Sequence, residues 1–315
     1  MKIIKYQEIE HKKVWDQFVL SANNGTIFHL RKFLSYHKKR KFDDTSFLFY
    51  DKNNIKSVFT GAIINNTLYS HPGASFGGFV SNIMSFKSYS EMVALLINYA
   101  KTKNLEKIII IPPPFIYYTY YNEAMEYALY NQNFKVVEYY ISSFVPLDKD
   151  FKKHMHTRKK RYIKKMMPEV EIKISADIDS FYPILINNKA KHKVEPTHTL
   201  TELKVLMKKF PEKIKLLLSY KNNTVIGGAL NFITNKNTSI LFYNMIDYDY
   251  QDLQIGSLQI YQSLKWAKEN KLNYLDIGVS QLYKKNIIVP HNSLIHFKEQ
   301  FGAQAMIRKV MELKL

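Results

Sequence analysis

One order of elements runs through this chain twice, and that repetition constrains its fold more than any other feature. In the first half an opening strand at residues 2–8 precedes helical segments at 14–21 and 30–38. Residues 46–50, 57–65 and 67–71 then make a three-strand meander, with turns at 51–54 and 65–66. An amphipathic helix at 89–103 places Met92, Leu95, Leu96, Tyr99 and Ala100 on one face. Residues 107–111 form an apolar run suited to a sheet interior, 123–131 a further helix and 135–146 a closing strand. The second half repeats the series: strand 171–175, helices 178–191 and 200–209, and strands 214–220, 224–233 and 239–247. Helix 256–270, strand 273–278, helix 294–301 and strand 306–315 complete it. The expected class is α/β of the α+β kind, with two tandem domains, each a mixed, mostly antiparallel sheet flanked by helices. The boundaries predicted are 1–147 and 169–315, with a basic connecting helix at 148–168 ended by Pro168.

Composition bounds the rest. The 315 residues suit two domains, and 46% apolar residues supply two cores. The chain has no cysteine, which removes disulfides, cysteine-ligated zinc and cysteine nucleophiles. Its first residues lack the apolar stretch of a secretory signal, and no apolar run approaches the ~20 residues of a membrane helix. A cytoplasmic protein is expected, free of metal, with peripheral contact to the inner membrane as the variant. The net charge of +19 accompanies abundant Lys, Asn, Ile and Tyr, so most of it reads as solvated surface. Residues 149–165 stand above that background, with nine Lys or Arg against one acid, Asp150.

Five segments carry candidate chemistry. Residues 70–79, including His71, Gly73, Ser75, Gly77 and Gly78, offer a glycine-rich loop whose backbone N–H groups suit an anion; a bulged connection is the plain alternative. Arg158 and Tyr162 lie one turn apart on the basic helix, giving a bidentate donor beside a stacking face. His192 and His198 precede a helix start at which Thr199 and Glu202 predict a capping box, and His198 has the pKa class of a general base. Gln254, Gly256 and Ser257 open a helix whose N-terminus suits phosphate. Finally, Asp276 and Gly278 end a buried strand, a polar loop including Asn292 follows, and Phe297-Lys298-Glu299-Gln300-Phe301-Gly302 makes a short helix with a glycine stop. There is no Walker loop, no His-Glu-x-x-His, no Gly-x-Ser-x-Gly and no Rossmann fingerprint.

The Asp276-Ile277-Gly278 strand end with the Phe297-Lys298-x-x-Phe301-Gly302 helix resembles the signature end of the FemABX-like branch of the GNAT acyltransferases. Several further features are similar to that branch: the doubled element order, the Arg158/Tyr162 spacing and the Ser70-His71-Pro72-Gly73 loop. The resemblance implies an N-acyltransferase whose C-terminal domain holds the acyl donor, through Gln254, Gly256, Ser257 and Phe297. It assigns Lys298 to charge developing on the carbonyl oxygen, with Asp276 and His198 beside it as catalytic residues. His71, Gly73, Ser75, Gly77, Gly78, Arg158, Tyr162, His192 and Asn292 would then meet the acceptor. The donor expected is acetyl-CoA and the acceptor a nucleotide-linked amino sugar or a lipid-linked glycan precursor, in bacterial cell-surface polysaccharide assembly. Two alternatives stand beside it. In one, aminoacyl-tRNA is the donor and a peptidoglycan precursor the acceptor, as the degenerate loop at 250–257 favours. In the other, a non-catalytic protein binds nucleotide sugar or nucleic acid.

Overall fold

The computed structural model describes residues 1–36, 43–148, 150–191, 193–284 and 287–315; Lys149 and the acceptor candidate His192 lie outside them. Its first elements are β1 (Lys2–Lys5), α1 (Glu8–Ser21), α2 (Arg31–Leu34), β2 (Asp43–Asp44), β3 (Phe47–Asp51), β4 (Asn54–Thr60), β5 (Ala62–Ile64), β6 (Thr67–Tyr69), β7 (Gly78–Ser81), α3 (Phe86–Thr102), β8 (Lys107–Ile110), α4 (Ala124–Asn131) and β9 (Lys135–Pro146). Then come α5 (Thr157–Met166), β10 (Glu171–Ser175), α6 (Ile178–Lys191), α7 (Leu200–Lys209), β11 (Ile214–Lys221), β12 (Thr224–Ile233), β13 (Thr238–Ile246), α8 (Ile255–Glu269), β14 (Tyr274–Val279), β15 (Gln281–Lys284), β16 (Ile287–Pro290), α9 (Asn292–Glu299) and β17 (Gln304–Lys314). The expected order appears in the second half; in the first half β2 and β7 are added to the expected meander. The hairpin β15–β16 falls inside the segment expected as a loop.

The chain divides into two compact units, residues 1–140 with 307–315, and residues 141–306. The break expected after residue 147 therefore lies earlier, and the last strand changes sides. The reason is strand pairing. Met311 to Lys314 of β17 run antiparallel to β8, whereas Ser142 to Pro146 of β9 run antiparallel to β14.

In the first unit β1, β3, β4 and β7 make one antiparallel sheet. The strand expected at 57–65 breaks at Gly61 into β4 and β5, and β5 instead joins β2 and β6. A side chain on Gly61 would meet the Thr45 carbonyl at 2.7 Å, so the crossing backbones require glycine. The core is aromatic, with Phe47, Phe49, Phe59 and Phe79 packed on Met92 and Leu96 of α3. His29 is fully buried in this unit, and its Nδ1 accepts the Thr26 N–H. Burial pushes its pKa down to about 3. The unfolded chain takes up a proton below about pH 6.5 and the folded chain does not, so stability is full above that pH and falls below it. The expected loss is about 1.4 kcal/mol per pH unit until pH approaches 3. Urea unfolding at pH 7 and pH 5 checks this: a His29→Gln variant should lack most of the wild-type slope.

In the second unit the strands lie in the order β10, β11, β12, β13, β14, β9. All neighbours are antiparallel except β13 and β14, which α8 connects in parallel. Leu258, Leu264 and Ala267 of α8 pack on Ala229, Leu241 and Leu275 of the sheet, together with Phe301. Thr199 and Glu202 form the predicted capping box at the start of α7.

Candidate active site

The second unit opens where its two parallel strands part. β13 and β14 pair only from Thr238 with Tyr274 to Ile240 with Asp276. Beyond those residues the ladder ends, while β13 runs on to Ile246 and β14 to Val279. Two backbone edges are thus left unpaired with each other at the carboxyl ends of parallel strands, the region where open α/β sheets take ligands.

The start of α8 borders this opening. Gln254 precedes the helix in a left-handed conformation, φ 49°, and offers no side-chain cap. Its carbonyl accepts from Ser257 N–H at 2.8 Å, and among the described residues no acceptor meets the N–H groups of Ile255 and Gly256. A non-glycine residue held left-handed at an uncapped helix start is a strained arrangement of the kind found at ligand sites. Asn244 of β13 donates to the Gly256 carbonyl at 3.2 Å, and its own Oδ1 is buried without a partner among the described residues. Ser280 Oγ, just past β14, is likewise buried without a partner.

A cation completes this corner. Lys159 of α5 is 6% exposed, and its Nζ donates to Ser257 Oγ at 3.1 Å. The ammonium stands 4.7 Å from the Phe297 ring centroid and 5.4 Å from that of Phe301. Among the described residues no carboxylate lies within ion-pair distance of it. Burial, with the Arg158 charge next to it, lowers its pKa. A desolvated ammonium, a hydroxyl and two helix-start N–H groups converge here, which is what a phosphate group requires.

Asp276 and Lys298 meet at one glycine. Gly278 has φ 80°, and a side chain there would meet nothing within 4 Å, so its backbone conformation rather than crowding calls for glycine. The buried Asp276 carboxylate accepts its N–H at 2.7 Å, and Ser142 Oγ at 3.3 Å. From the other side Lys298, 6% exposed, donates to the carbonyls of Gly278 at 2.7 Å and Val279 at 3.0 Å. The signature residues therefore clamp the end of β14, and the Lys298 side chain is buried rather than on the surface. Gly302, φ 75°, admits the close approach of His154, whose Cβ would lie 2.7 Å from a side chain at that position.

Other expected site residues fall elsewhere. His198 is 1% exposed inside an aromatic cluster, 5.0 Å from Phe242, with Nδ1 3.0 Å from the Tyr243 hydroxyl. Burial pushes that phenol up to about 12. The His198 ring packs the segment before α7 onto β13. Asn292 is exposed at the first position of α9, which His291 caps instead. Arg158 and Tyr162 lie at the surface and contact each other, guanidinium to hydroxyl at 3.4 Å and 5.6 Å from the ring centroid. In the first unit Gly77 and Gly78 allow close packing: a side chain at Gly77 would meet the Ser70 carbonyl at 2.7 Å, and one at Gly78 would meet Ile110 at 2.8 Å. His71 is buried, its Nδ1 2.9 Å from the Pro72 carbonyl, and Ser70 Oγ accepts the Ile111 N–H. Sequence reasoning missed Lys159, Asn244 and Ser280.

Residues 150–285 match the family profile of the acetyltransferase (GNAT) domain, which includes α5, the parting strands and α8. The structure also superposes on that of FemX with a TM-score of 0.73 over 100% of this chain and 98% of that one, at 12% identity. The chain has the FemABX-like tandem GNAT fold. A putative lysylphosphatidylglycerol synthetase C-terminal domain from Agrobacterium fabrum shares this GNAT architecture, with a TM-score of 0.64 over 97% and 92% of the two chains at 9% identity. So does a tandem GNAT protein from the clavulanic acid biosynthesis pathway, with a TM-score of 0.56 over 99% and 98% at 6% identity. No curated protein sequence matches the chain. Among the described residues no helix is long and apolar enough to cross a membrane.

Proposed function

We propose that this chain is an N-acyltransferase that moves an acetyl group from acetyl-CoA to the amine of a sugar, carried on a nucleotide or lipid, for cell-surface glycan assembly. The observation that supports it most is the corner at the start of α8, where the buried Lys159 ammonium donates to Ser257 Oγ and meets no carboxylate among the described residues. In this reading Lys159, Ser257 and the N–H groups of Ile255 and Gly256 hold the donor's diphosphate. The thioester then lies along the edges that β13 and β14 leave open. The residues fit such a donor, because Ser280 Oγ can give it a hydrogen bond and Asn244 Oδ1 can accept one, and both oxygens are buried without partners among the described residues. The neutral amine attacks the thioester carbonyl, the tetrahedral intermediate expels the CoA thiolate, and the proton lost by the nitrogen ends on that thiolate. Asp276 and Lys298 act by fixing the end of β14, a positioning contribution. Arg158 and Tyr162 form a surface platform suited to the acceptor's phosphates and base.

A second reading has aminoacyl-tRNA as donor. It is favoured by the exposed face of α5, where Arg158, Lys160, Arg161, Lys164 and Lys165 all face solvent. Likeness to FemX and to the lysylphosphatidylglycerol synthetase domain points the same way. Thermal unfolding with each donor separates the two. A donor at 100 times its dissociation constant stabilises the folded chain by ~2.7 kcal/mol. Stabilisation by acetyl-CoA and by CoA is the expected result. Stabilisation by charged tRNA alone would replace the first reading with the second.

A further inference from the structure

The first unit carries an exposed aromatic groove of about 570 Å³ that none of the residues above explains. Tyr127 and Tyr130 of α4 form one wall, their ring planes 31° apart and their centroids separated by 6.0 Å. Tyr139 of β9 lies on another wall. All three rings are more than half exposed, at 57%, 67% and 60%. Three large apolar faces left in water on one groove are unusual for a soluble surface and mark a binding site. The volume lies within the roughly 300–1,000 Å³ of small-molecule sites.

The polar lining says what binds. Glu123 and Glu126 are matched by Lys135 and Lys309, so the groove is neutral on a chain of net charge +19. A neutral groove does not select nucleic acid or an anionic lipid. Glu126 and Lys309 form an ion pair at the groove. An apolar occupant would strip water from that pair and return no hydrogen bonds, which is costly. A pair of adjacent hydroxyls does the opposite, one donating to the carboxylate and the other accepting from the ammonium. The carboxylate has about four acceptor sites and the ammonium three donors, so the ion pair leaves both with capacity. Tyrosine faces meanwhile match the C–H face of a pyranose ring.

We infer that this groove is a glycan-binding site, taking an uncharged sugar with neighbouring hydroxyls against Tyr127, Tyr130 and Tyr139. None of these residues takes part in the donor corner, so the groove stands or falls independently of acyl transfer. Saturation-transfer NMR on the full chain tests it, with N,N′-diacetylchitobiose, cellobiose and lactose as probes at millimolar concentration. At least one should receive saturation at its ring protons. Its signal should fall threefold or more in Tyr130→Ala and, separately, in Glu126→Gln, and be unchanged in Lys236→Ala, an exposed residue of the β12–β13 turn. No transfer to any of the three overturns the inference. So does transfer that both groove variants leave intact. Tyr130-dependent sedimentation with phosphatidylglycerol vesicles, without sugar binding, would assign the groove to a membrane surface instead and overturn it as well.

Discussion

Replacing Lys298 with methionine should lower turnover about a hundredfold while destabilising the fold by about 1.5–3 kcal/mol. The stability loss follows from removing a charged donor from two carbonyls, Gly278 and Val279, in a site only 6% exposed. The turnover loss follows because those carbonyls end β14, one edge of the opening that would hold the acyl group. A displacement near 1 Å of a reacting group costs about a hundredfold. Gly278→Ala separates positioning from charge. It leaves the lysine in place but strains a backbone at φ 80°. If Lys298 acts by holding the strand end, Gly278→Ala reproduces much of the turnover loss, and the KM for donor moves less than kcat in both variants. Normal turnover in Lys298→Met would remove the clamp from the account.

Lys159→Met should raise stability by about 1 kcal/mol and weaken donor binding by ten- to a hundredfold. The two effects have one cause. A buried ammonium without a carboxylate is costly to the empty fold, and a methionine of similar length fills the same space between Phe297 and Phe301. When a phosphate arrives, the same charge becomes a partner worth about 1.5–3 kcal/mol, roughly ten- to a hundredfold in affinity. A residue kept only for packing would lose stability on substitution and leave donor affinity unchanged. Chemical denaturation of both proteins gives the first half of this comparison.

Much of this was legible in the sequence because hydrophobic period and turn residues report local structure directly. The two series of elements, α6 over its full length and the capping box at Thr199 all follow from such patterns. The strand exchange did not, because nothing local tells β17 whether to lie beside β8 or β14. Gly61 hid a change of sheet, since a glycine within an alternating run looks the same whether or not the chain crosses another backbone there. At the site, the Asp276-Gly278 and Phe297-Gly302 signature was found, but the direction of the Lys298 ammonium depends on where β14 ends. His198 looked like a base because a sequence shows neither Phe242 nor Tyr243 around it. Lys159 was within reach. Met155, Lys159 and Ile163 recur at four-residue spacing, and all three are buried. In a run of nine cations the one on the apolar stripe is the informative one, whereas the Arg158/Tyr162 spacing marks a pair at the surface.

The most direct test of the central claim is a calorimetric titration of acetyl-CoA into the wild-type chain and into Lys159→Met at the same ionic strength. Saturable one-to-one binding to the wild type, at least tenfold weaker in the variant, is the result expected if the start of α8 holds the donor's diphosphate. Absence of binding to the wild type, or equal affinity in the two proteins, would contradict it.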